Sequence, residues 1–284
     1  MQPSSLACAL PCAARSLVVA LAAFAGCGCG PRSSADEAVP QTAVAARSLT
    51  VYAAMSTRDA LQALAQPFER EHACALVFQF GASGDLARQI KAATKADVFL
   101  SAGEREMDDL AAANLLVPDS RCDLLSNQLV VVEPNDAPTI FTAPFAPRQI
   151  ADARVKRLSL AHVETVPAGR YAKAWLEQSD LWTALEARVL PALDVRAALA
   201  AVESGAAEVG IVYRTDVALA RGVRIVHAVP ISEGPAIRYP MALIAGRSNT
   251  HSARQLAAYL QSAPARLVFE HYGFLDAAAS TARK

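Results

Sequence analysis

Residues 75–100 read ALVFQFGASGDLARQIKAATKADVFL, and this stretch decides the fold. The apolar run at 75–80 predicts a strand, and Leu86 and Ile90 recur at the spacing of one helix face. Residues 97–100 predict a second strand. Two strands separated by a helix form a right-handed β-α-β unit on a parallel sheet, so the stretch indicates an α/β protein.

The same alternation continues on both sides of this unit. A predicted strand at 49–53 precedes it. A second α/β set follows, with a predicted strand at 157–160, helices from about 168, at 182–190 and at 194–203, and a strand at 208–213. The proline-containing stretches 134–147 and 226–235 predict two connections, and residues 239–244 predict a strand after the second one.

Two α/β sets joined by two connections predict a two-lobed fold with a ligand cleft between the lobes. Each lobe is expected to hold a mainly parallel sheet flanked by helices. Lobe 1 comprises residues 48–128 plus 232–284, and lobe 2 comprises residues 129–231.

The N-terminal segment differs in kind from the rest of the chain. It contains an unbroken apolar run at 17–25, which is too short to span a bilayer and is typical of a signal peptide. We therefore assign residues 1–27 to a signal peptide and lipobox region, and the small and polar residues 28–47 to a flexible tether. The sequence FAGC ending at Cys27 favours a lipid anchor, whereas Ala23-Phe24-Ala25 offers an ordinary signal-peptidase site. Both predict export to the periplasm, and the first adds attachment to the membrane through the lipid.

The composition and charge of the chain disfavour a nucleic acid partner, a metal centre and a cofactor. The chain has 27 Lys and Arg against 27 Asp and Glu, so no net field favours a nucleic acid partner. The cysteines beyond the signal segment are Cys74 and Cys122, and the sequence has no C-x-x-C motif and no histidine pair at metal spacing. We therefore expect no metal centre and no cofactor. The two thiols can form a disulfide in an oxidising compartment, although two small buried thiols are the favoured state.

Four places share one local pattern, in which the chain enters a predicted helix through a small or hydroxylated residue. They are residues 54–56, 81–84, 167–169 and 194–196. A helix N-terminus exposes unpaired N–H groups and about half a positive charge, so it binds anions without a basic side chain. Ser56 and Ser83 can add hydroxyl donors, or each can be an ordinary N-cap, and for Ser83 we expect both roles.

Several motifs, in the same order along the chain, resemble the periplasmic molybdate-binding proteins of ABC transporters. They are VYAAMS (51–56), FGASGDLARQI (80–90), ADVFLSA (96–102), NQLVVV (127–132), VPAGRYA (166–172), DVR (194–196), GIVY (210–213) and YGF (272–274). The resemblance spans nearly the whole chain after the tether.

The resemblance implies a monomeric solute-binding protein and not an enzyme. It implies capture of a tetrahedral oxyanion, either molybdate or the nearly identical tungstate, and delivery to the membrane permease of an ABC importer. In that family hydroxyls and main-chain N–H groups hold the oxyanion through its oxygens, with no direct metal ligand. The positions of this chain that match are Ser56, Ser83, Ala168, Val195 and Tyr213.

Some positions depart from the family pattern and leave the ligand open. Arg58 stands where the family has a neutral residue, and we expect it to lie close enough to the site to alter its charge. Glu106 replaces a common Trp. Sulfate or phosphate therefore remains an alternative ligand for the same fold.

A hydrolase is the least favoured alternative. Gly81-Ala82-Ser83-Gly84 lies on a predicted strand-to-helix turn, as a nucleophilic serine does in α/β hydrolases, but it misses the G-x-S-x-G motif by one residue. His251 and His271 come late enough in the chain to be the catalytic base.

Overall fold

The computed structural model describes residues 47–93 and 95–278. The signal peptide, the tether before residue 47 and the lipid anchor at Cys27 lie outside the described residues, and these assignments stay predictions. Among the helices that are described, none is long and apolar enough to cross a membrane.

Strands and helices alternate along most of the described chain. The strands are β1 (Arg47–Ala54), β2 (Cys74–Gly81), β3 (Val98–Leu100), β4 (Cys122–Ser126), β5 (Leu129–Pro134), β6 (Leu158–Ala161), β7 (Val189–Ala192), β8 (Val209–Tyr213), β9 (Val223–Ala228), β10 (Arg238–Leu243) and β11 (Leu275–Asp276). The helices are α1 (Arg58–His72), α2 (Ser83–Ala93), α3 (Glu104–Ala112), α4 (Pro167–Gln178), α5 (Trp182–Leu185), α6 (Val195–Glu203), α7 (Arg214–Val217), α8 (Thr250–Leu260) and α9 (Ala263–His271).

These strands build two separate sheets. The first has six strands in the order β11-β4-β10-β3-β1-β2, and the second has five in the order β7-β6-β8-β5-β9. The chain therefore passes between the sheets twice, from β4 to β5 and from β9 to β10. Helices α1, α2, α3 and α8 pack against the first sheet, and α4 and α6 pack against the second.

Both sheets are mixed, which refines the expectation of mainly parallel sheets. In the first sheet β1 runs parallel to β2 and β3, whereas β10 runs antiparallel to β3 and β4. In the second, β6 runs parallel to β7 and β8, whereas β5 runs antiparallel to β8 and β9. The antiparallel strands β5 and β10 are those that the chain enters directly from a crossing, without a preceding crossover helix in the same sheet.

The apolar run of β5 shows how the sequence specifies the core. Every residue of β5 is buried, and its leucine and three valines do not alternate with polar residues. Such a run fits a strand that is covered on both faces. Helix α6 packs against one side of this strand.

Three element predictions need correction. The predicted helix at 182–190 ends early, because residues 189–192 form β7 at the edge of the second sheet. Strand β4 was not predicted, and residues 223–228, which overlap the predicted second connection, form β9. Each of these strands is short or only partly apolar, so that its place in a sheet depends on its neighbours.

The two cysteines of the folded part are free thiols. Cys74 begins β2 and Cys122 begins β4, and three strands of the same sheet lie between them. At about 4.8 Å per strand this separation exceeds the reach of a disulfide, whose Cα atoms lie about 4.4–6.8 Å apart.

Candidate ligand-binding cleft

One cleft lies between elements of the first sheet and elements of the second. Its lining residues are Ala54, Met55, Ser56, Gly81, Ala82, Ser83, Ala102, Val166, Pro167, Ala168, Asp194, Val195 and Tyr213. All five site positions named from the sequence are among them, although they come from segments far apart in the chain. Their contact with a ligand stays a prediction.

The first sheet contributes two buried serines. Ser56 lies in a short 3-10 helix after β1 and is 4% exposed, and Ser83 is the first residue of α2 and is 1% exposed. The Ser83 Oγ accepts a hydrogen bond of 3.0 Å from the main-chain N–H of Ala102. The Ser83 hydroxyl therefore keeps its own hydrogen for an acceptor in the cleft.

The expected N-cap role of Ser83 is wrong. The first helical hydrogen bond of α2 runs from the N–H of Leu86 to the carbonyl of Ala82, so the helix starts one residue earlier than a Ser83 cap requires. Because the Ser83 Oγ is engaged by Ala102, the serine stabilises the loop after β3 and not its own helix.

The second sheet contributes two helix starts. Ala168 is the second residue of α4 and Val195 is the first residue of α6, and both are buried. The first N–H groups of a helix have no acceptor within the helix, so these amides are available to an anion. Asp194 caps α6, because its side chain accepts a hydrogen bond of 2.9 Å from Ala197 N.

Tyr213, at the end of β8, is the fifth predicted position that lines the cleft. Its side chain is 1% exposed, and its hydroxyl has no hydrogen-bond partner among the described residues. Burial raises the pKa of Tyr213 well above its usual value, so the hydroxyl keeps its proton at neutral pH. A buried hydroxyl without a partner costs about 1–3 kcal/mol, which a ligand oxygen at this point would offset.

Ion pairs join the two sides beside the cleft. Arg196, next to Val195, donates to Asp59 of α1 and to the fully buried Asp216, at 2.6 Å each. Arg170 of α4 donates to Glu106 of α3 at 2.6 Å. Glu106, which takes the place of the expected Trp, is thus a buried partner of a cation on the opposite side.

Arg58, in contrast, is exposed and is not among the lining residues. The side chains that present charge next to the cleft are therefore paired arginines and carboxylates. The polar hydrogens that face the cleft come from hydroxyls and main-chain amides.

Sequence reasoning missed two buried residues behind Ser56. The hydroxyl oxygen of Tyr239, on β10, lies 2.9 Å from Ser56 Oγ. The side-chain amide of Asn127 donates to the same hydroxyl at 3.0 Å. Asn127 stands in the NQLVVV motif at the first crossing, which was the one available signal for it. Tyr239 follows the second crossing and carried no signal beyond that of an aromatic residue in a strand.

The histidines named for a hydrolase lie elsewhere. His251 is the second residue of α8 and His271 is the last residue of α9, and both are exposed. Neither is among the residues that line the cleft with Ser83.

A cleft between two mixed α/β sheets, lined by neutral donors from both, defines a two-lobed solute-binding protein. The chain belongs to the family of bacterial extracellular solute-binding proteins, whose model matches residues 49–275. The predicted fold class is thereby confirmed, and the family's extracellular location agrees with the predicted export.

Individual relatives support the assignment. The chain is 36% identical to the molybdate-binding protein ModA of Escherichia coli strain K12, over 80% of this chain and 88% of that one. It is 32% identical to YvgL of Bacillus subtilis strain 168, named as an ABC transporter substrate-binding lipoprotein, over 90% of this chain and 96% of that one. A solved substrate-binding domain, assigned to a molybdenum ABC transporter of Clostridium difficile, has a TM-score of 0.64 and 30% identity, with 81% of this chain and 98% of that one covered.

Proposed function

We propose that this protein captures molybdate, or the nearly isosteric tungstate, outside the inner membrane and delivers it to the permease of an ABC importer. The proposed ligand contacts are the hydroxyls of Ser56, Ser83 and Tyr213 and the main-chain N–H groups of Ala168 and Val195. The protein binds its ligand and catalyses no step, and it requires no cofactor.

The observation that carries the proposal is the unpartnered Tyr213 hydroxyl. It is buried in the same cleft as two serine hydroxyls and two helix starts that the chain brings together from both sheets. A proton donor without an acceptor is rare in a protein interior, and an acceptor-rich ligand in the cleft accounts for it. A tetrahedral oxyanion offers such acceptors in every direction.

The cleft offers mainly hydrogen-bond donors, so it should distinguish oxyanions that carry a proton from those that do not. Hydrogen phosphate needs an acceptor for its own proton, whereas molybdate and sulfate accept at every oxygen. The carboxylate among the lining residues is that of Asp194, and it is engaged in capping α6. The donor set therefore disfavours phosphate, and sulfate remains the competitor, separated from molybdate by size alone.

The test is a melting-temperature series with molybdate, tungstate, sulfate and phosphate on purified protein. A ligand that binds only the folded state stabilises it by about 2.7 kcal/mol at a hundredfold excess over Kd. Molybdate and tungstate should give large upward shifts and sulfate a small one, since a smaller anion leaves the donors of one side out of reach. Equal shifts from sulfate and molybdate would contradict the choice of ligand.

Delivery to a membrane permease fits a protein that is held at the membrane by a lipid on Cys27. We expect this protein to be a monomer. The relationship to a Bacillus subtilis protein named as a lipoprotein supports the anchor, as does the small and polar segment that follows Cys27. Wild-type protein expressed with its full N-terminus should partition into detergent and carry the added mass of acylation, and Cys27→Ser should lose both. A mature N-terminus at Gly26 without lipid would instead identify the Ala23-Phe24-Ala25 site as the one used.

A further inference from the structure

Behind Ser56 lies a chain of hydrogen bonds whose direction can be derived. The amide of Asn127 is oriented by its oxygen, which accepts from the N–H of Gln128 at 2.8 Å. Its nitrogen then has two hydrogens, and they go to Thr215 Oγ1 at 2.9 Å and to the Tyr239 hydroxyl at 3.0 Å. The side chains of Asn127, Thr215 and Tyr239 are all buried, so water does not compete for these bonds.

The direction of the next bond follows from that of the first. The Tyr239 oxygen already accepts from Asn127, and the one other polar atom within reach that the structure gives it is Ser56 Oγ, at 2.9 Å. A buried hydroxyl hydrogen without an acceptor is costly, so Tyr239 donates to Ser56. Burial raises the pKa of Tyr239 well above its usual range, which keeps this hydrogen in place at neutral pH.

The consequence falls on the ligand site. Because Ser56 Oγ accepts from Tyr239, its own hydrogen is the one left to point into the cleft that Ser56 lines. The Ser83 oxygen likewise accepts from the N–H of Ala102, so that the hydrogen of the Ser83 hydroxyl is also left for the cleft. Both serines are therefore preset as donors before a ligand arrives.

We propose that Tyr239 and Asn127 are positioning residues of the oxyanion site. Asn127 orients the Tyr239 hydroxyl, and Tyr239 donates to Ser56 and so commits the Ser56 hydroxyl to donate to the ligand. Neither residue is among those that line the cleft, so both act through Ser56. This proposal rests on the proposed function, because it needs an oxyanion at Ser56.

Asn127 also connects the site to the crossing. It lies between β4 and β5, where the chain leaves the first sheet, and its second hydrogen reaches Thr215 just after β8 of the second sheet. Tyr239, on β10, follows the return crossing. The direction of the Ser56 hydroxyl is thus set by residues at the junction of the two sheets.

A double-mutant cycle of Tyr239→Phe and Ser56→Ala, followed by calorimetric titration with molybdate, tests the proposal. Tyr239→Phe keeps the ring and frees the Ser56 hydroxyl to rotate, so binding should weaken about threefold to tenfold, the range of one neutral hydrogen bond. In the Ser56→Ala background the same change should alter Kd less than about twofold, since two residues of one hydrogen-bond chain are not additive. An undiminished effect of Tyr239→Phe without Ser56, or no effect with Ser56 present, would overturn the proposal.

Selectivity gives a second readout, which a purely structural role would not change. A Ser56 hydroxyl that rotates freely can accept the proton of hydrogen phosphate, so the ratio of the phosphate Kd to the molybdate Kd should fall in Tyr239→Phe. Equal weakening for both anions would contradict the positioning role. Tyr259→Phe is the matched control, because the Tyr259 hydroxyl bonds to the Leu64 carbonyl away from the cleft, and it should change neither Kd.

Wild-type protein separates the two proposals. Molybdate binding by the wild type together with a failed cycle would refute the positioning role alone, whereas no binding of any oxyanion by the wild type would refute both. Should Tyr239→Phe not fold, Asn127→Asp tests the same link, since a carboxylate accepts from Tyr239 and reverses the chain. Its penalty should be smaller in the Ser56→Ala background, and an equal penalty there would overturn the proposal.

Discussion

Gly84 controls how closely the two sides of the cleft can approach. It is the second residue of α2, on the first sheet, and a Cβ at this position would lie 2.3 Å from the carbonyl oxygen of Thr165. Thr165 lies between β6 and α4, on the second sheet. Here the closed arrangement of the cleft means the one in which Gly84 and Thr165 are in contact. Gly84→Ala should obstruct this arrangement, because the added carbon meets a backbone carbonyl that cannot rotate away as a side chain can.

The size of the effect follows from this distance. Relief to an ordinary contact of about 3.5 Å requires the Thr165 segment, and α4 behind it, to withdraw by about 1 Å. A hydrogen bond with a donor–acceptor distance near 2.9 Å is broken when that distance grows by about 1 Å. Loss of the Ala168 contact to a charged ligand costs about 1.5–3 kcal/mol, so molybdate should bind about tenfold to a hundredfold more weakly.

Calorimetric titration and ligand-free melting temperature together test this reasoning. Ala has a higher helix propensity than Gly, so α2 and the ligand-free protein should be as stable as the wild type or slightly more stable. Gly81→Ala is the matched control, since it also adds a methyl group to the cleft lining, but there the Cβ would meet only the Leu86 side chain at an ordinary 3.5 Å. It should therefore weaken binding much less than Gly84→Ala. Normal molybdate binding by Gly84→Ala would refute the close approach of the two sides in the bound state.

Three further predictions concern side chains in or beside the cleft. Tyr213→Phe removes a hydroxyl that lacks a protein partner, so ligand-free melting temperature should not fall, while the Kd for molybdate should rise by the equivalent of about 1.5–3 kcal/mol; an unchanged Kd would assign Tyr213 to the core alone. Ser83→Asp sets a carboxylate against a dianion, at about 4 kcal/mol per unit charge at 4 Å and an effective dielectric near 20, so binding should drop at least about a hundredfold. Ser83→Ala should lose less, because it removes one hydroxyl donor without adding charge, and equal losses in titration would contradict this electrostatic reasoning. Burial raises the pKa of Asp216 to about 7 against the opposing effect of Arg196. The folded protein therefore holds a proton more tightly than the unfolded chain, and stability should fall as pH rises from about 4 to about 7. Asp216→Asn should flatten that part of a chemical-denaturation series against pH, and an unaltered slope would count against the raised pKa.

The parts of the fold that sequence predicted are those in which one segment determines its own structure. Residues 75–100 form β2, α2 and β3, because apolar runs and a helical repeat are local signals. The edge strand β7 was predicted as the end of a helix, since its four residues pair only with β6. A short edge strand owes its conformation to a neighbour that no local pattern reveals.

The site divides in the same way. The helix starts at Ala168 and Val195 and the hydroxyls of Ser56 and Ser83 follow from local sequence together with a family resemblance, and the structure brings them into one cleft. Tyr239 and Asn127 were missed because they are 112 positions apart and act through a third residue. Whether a serine donates or accepts depends on such partners, which sequence spacing does not encode.

The charges beside the cleft explain why neutral donors can determine selectivity. Arg170 and Arg196 each stand one or two residues after an amide proposed to bind the ligand, yet each guanidinium is turned to carboxylates, Glu106 for the first and Asp59 with Asp216 for the second. A free guanidinium at these positions would attract every dianion by nearly the same amount, because Coulomb attraction depends on charge and distance and not on ligand shape. The pairs of Arg170 with Glu106 and of Arg196 with Asp59 join the two sides, so the arginines instead favour the closed arrangement of the cleft. The remaining attraction for the ligand comes from hydroxyls and helix dipoles with fixed directions. Molybdate and sulfate carry the same charge, so discrimination between them has to come from how many of those fixed donors each anion reaches at once.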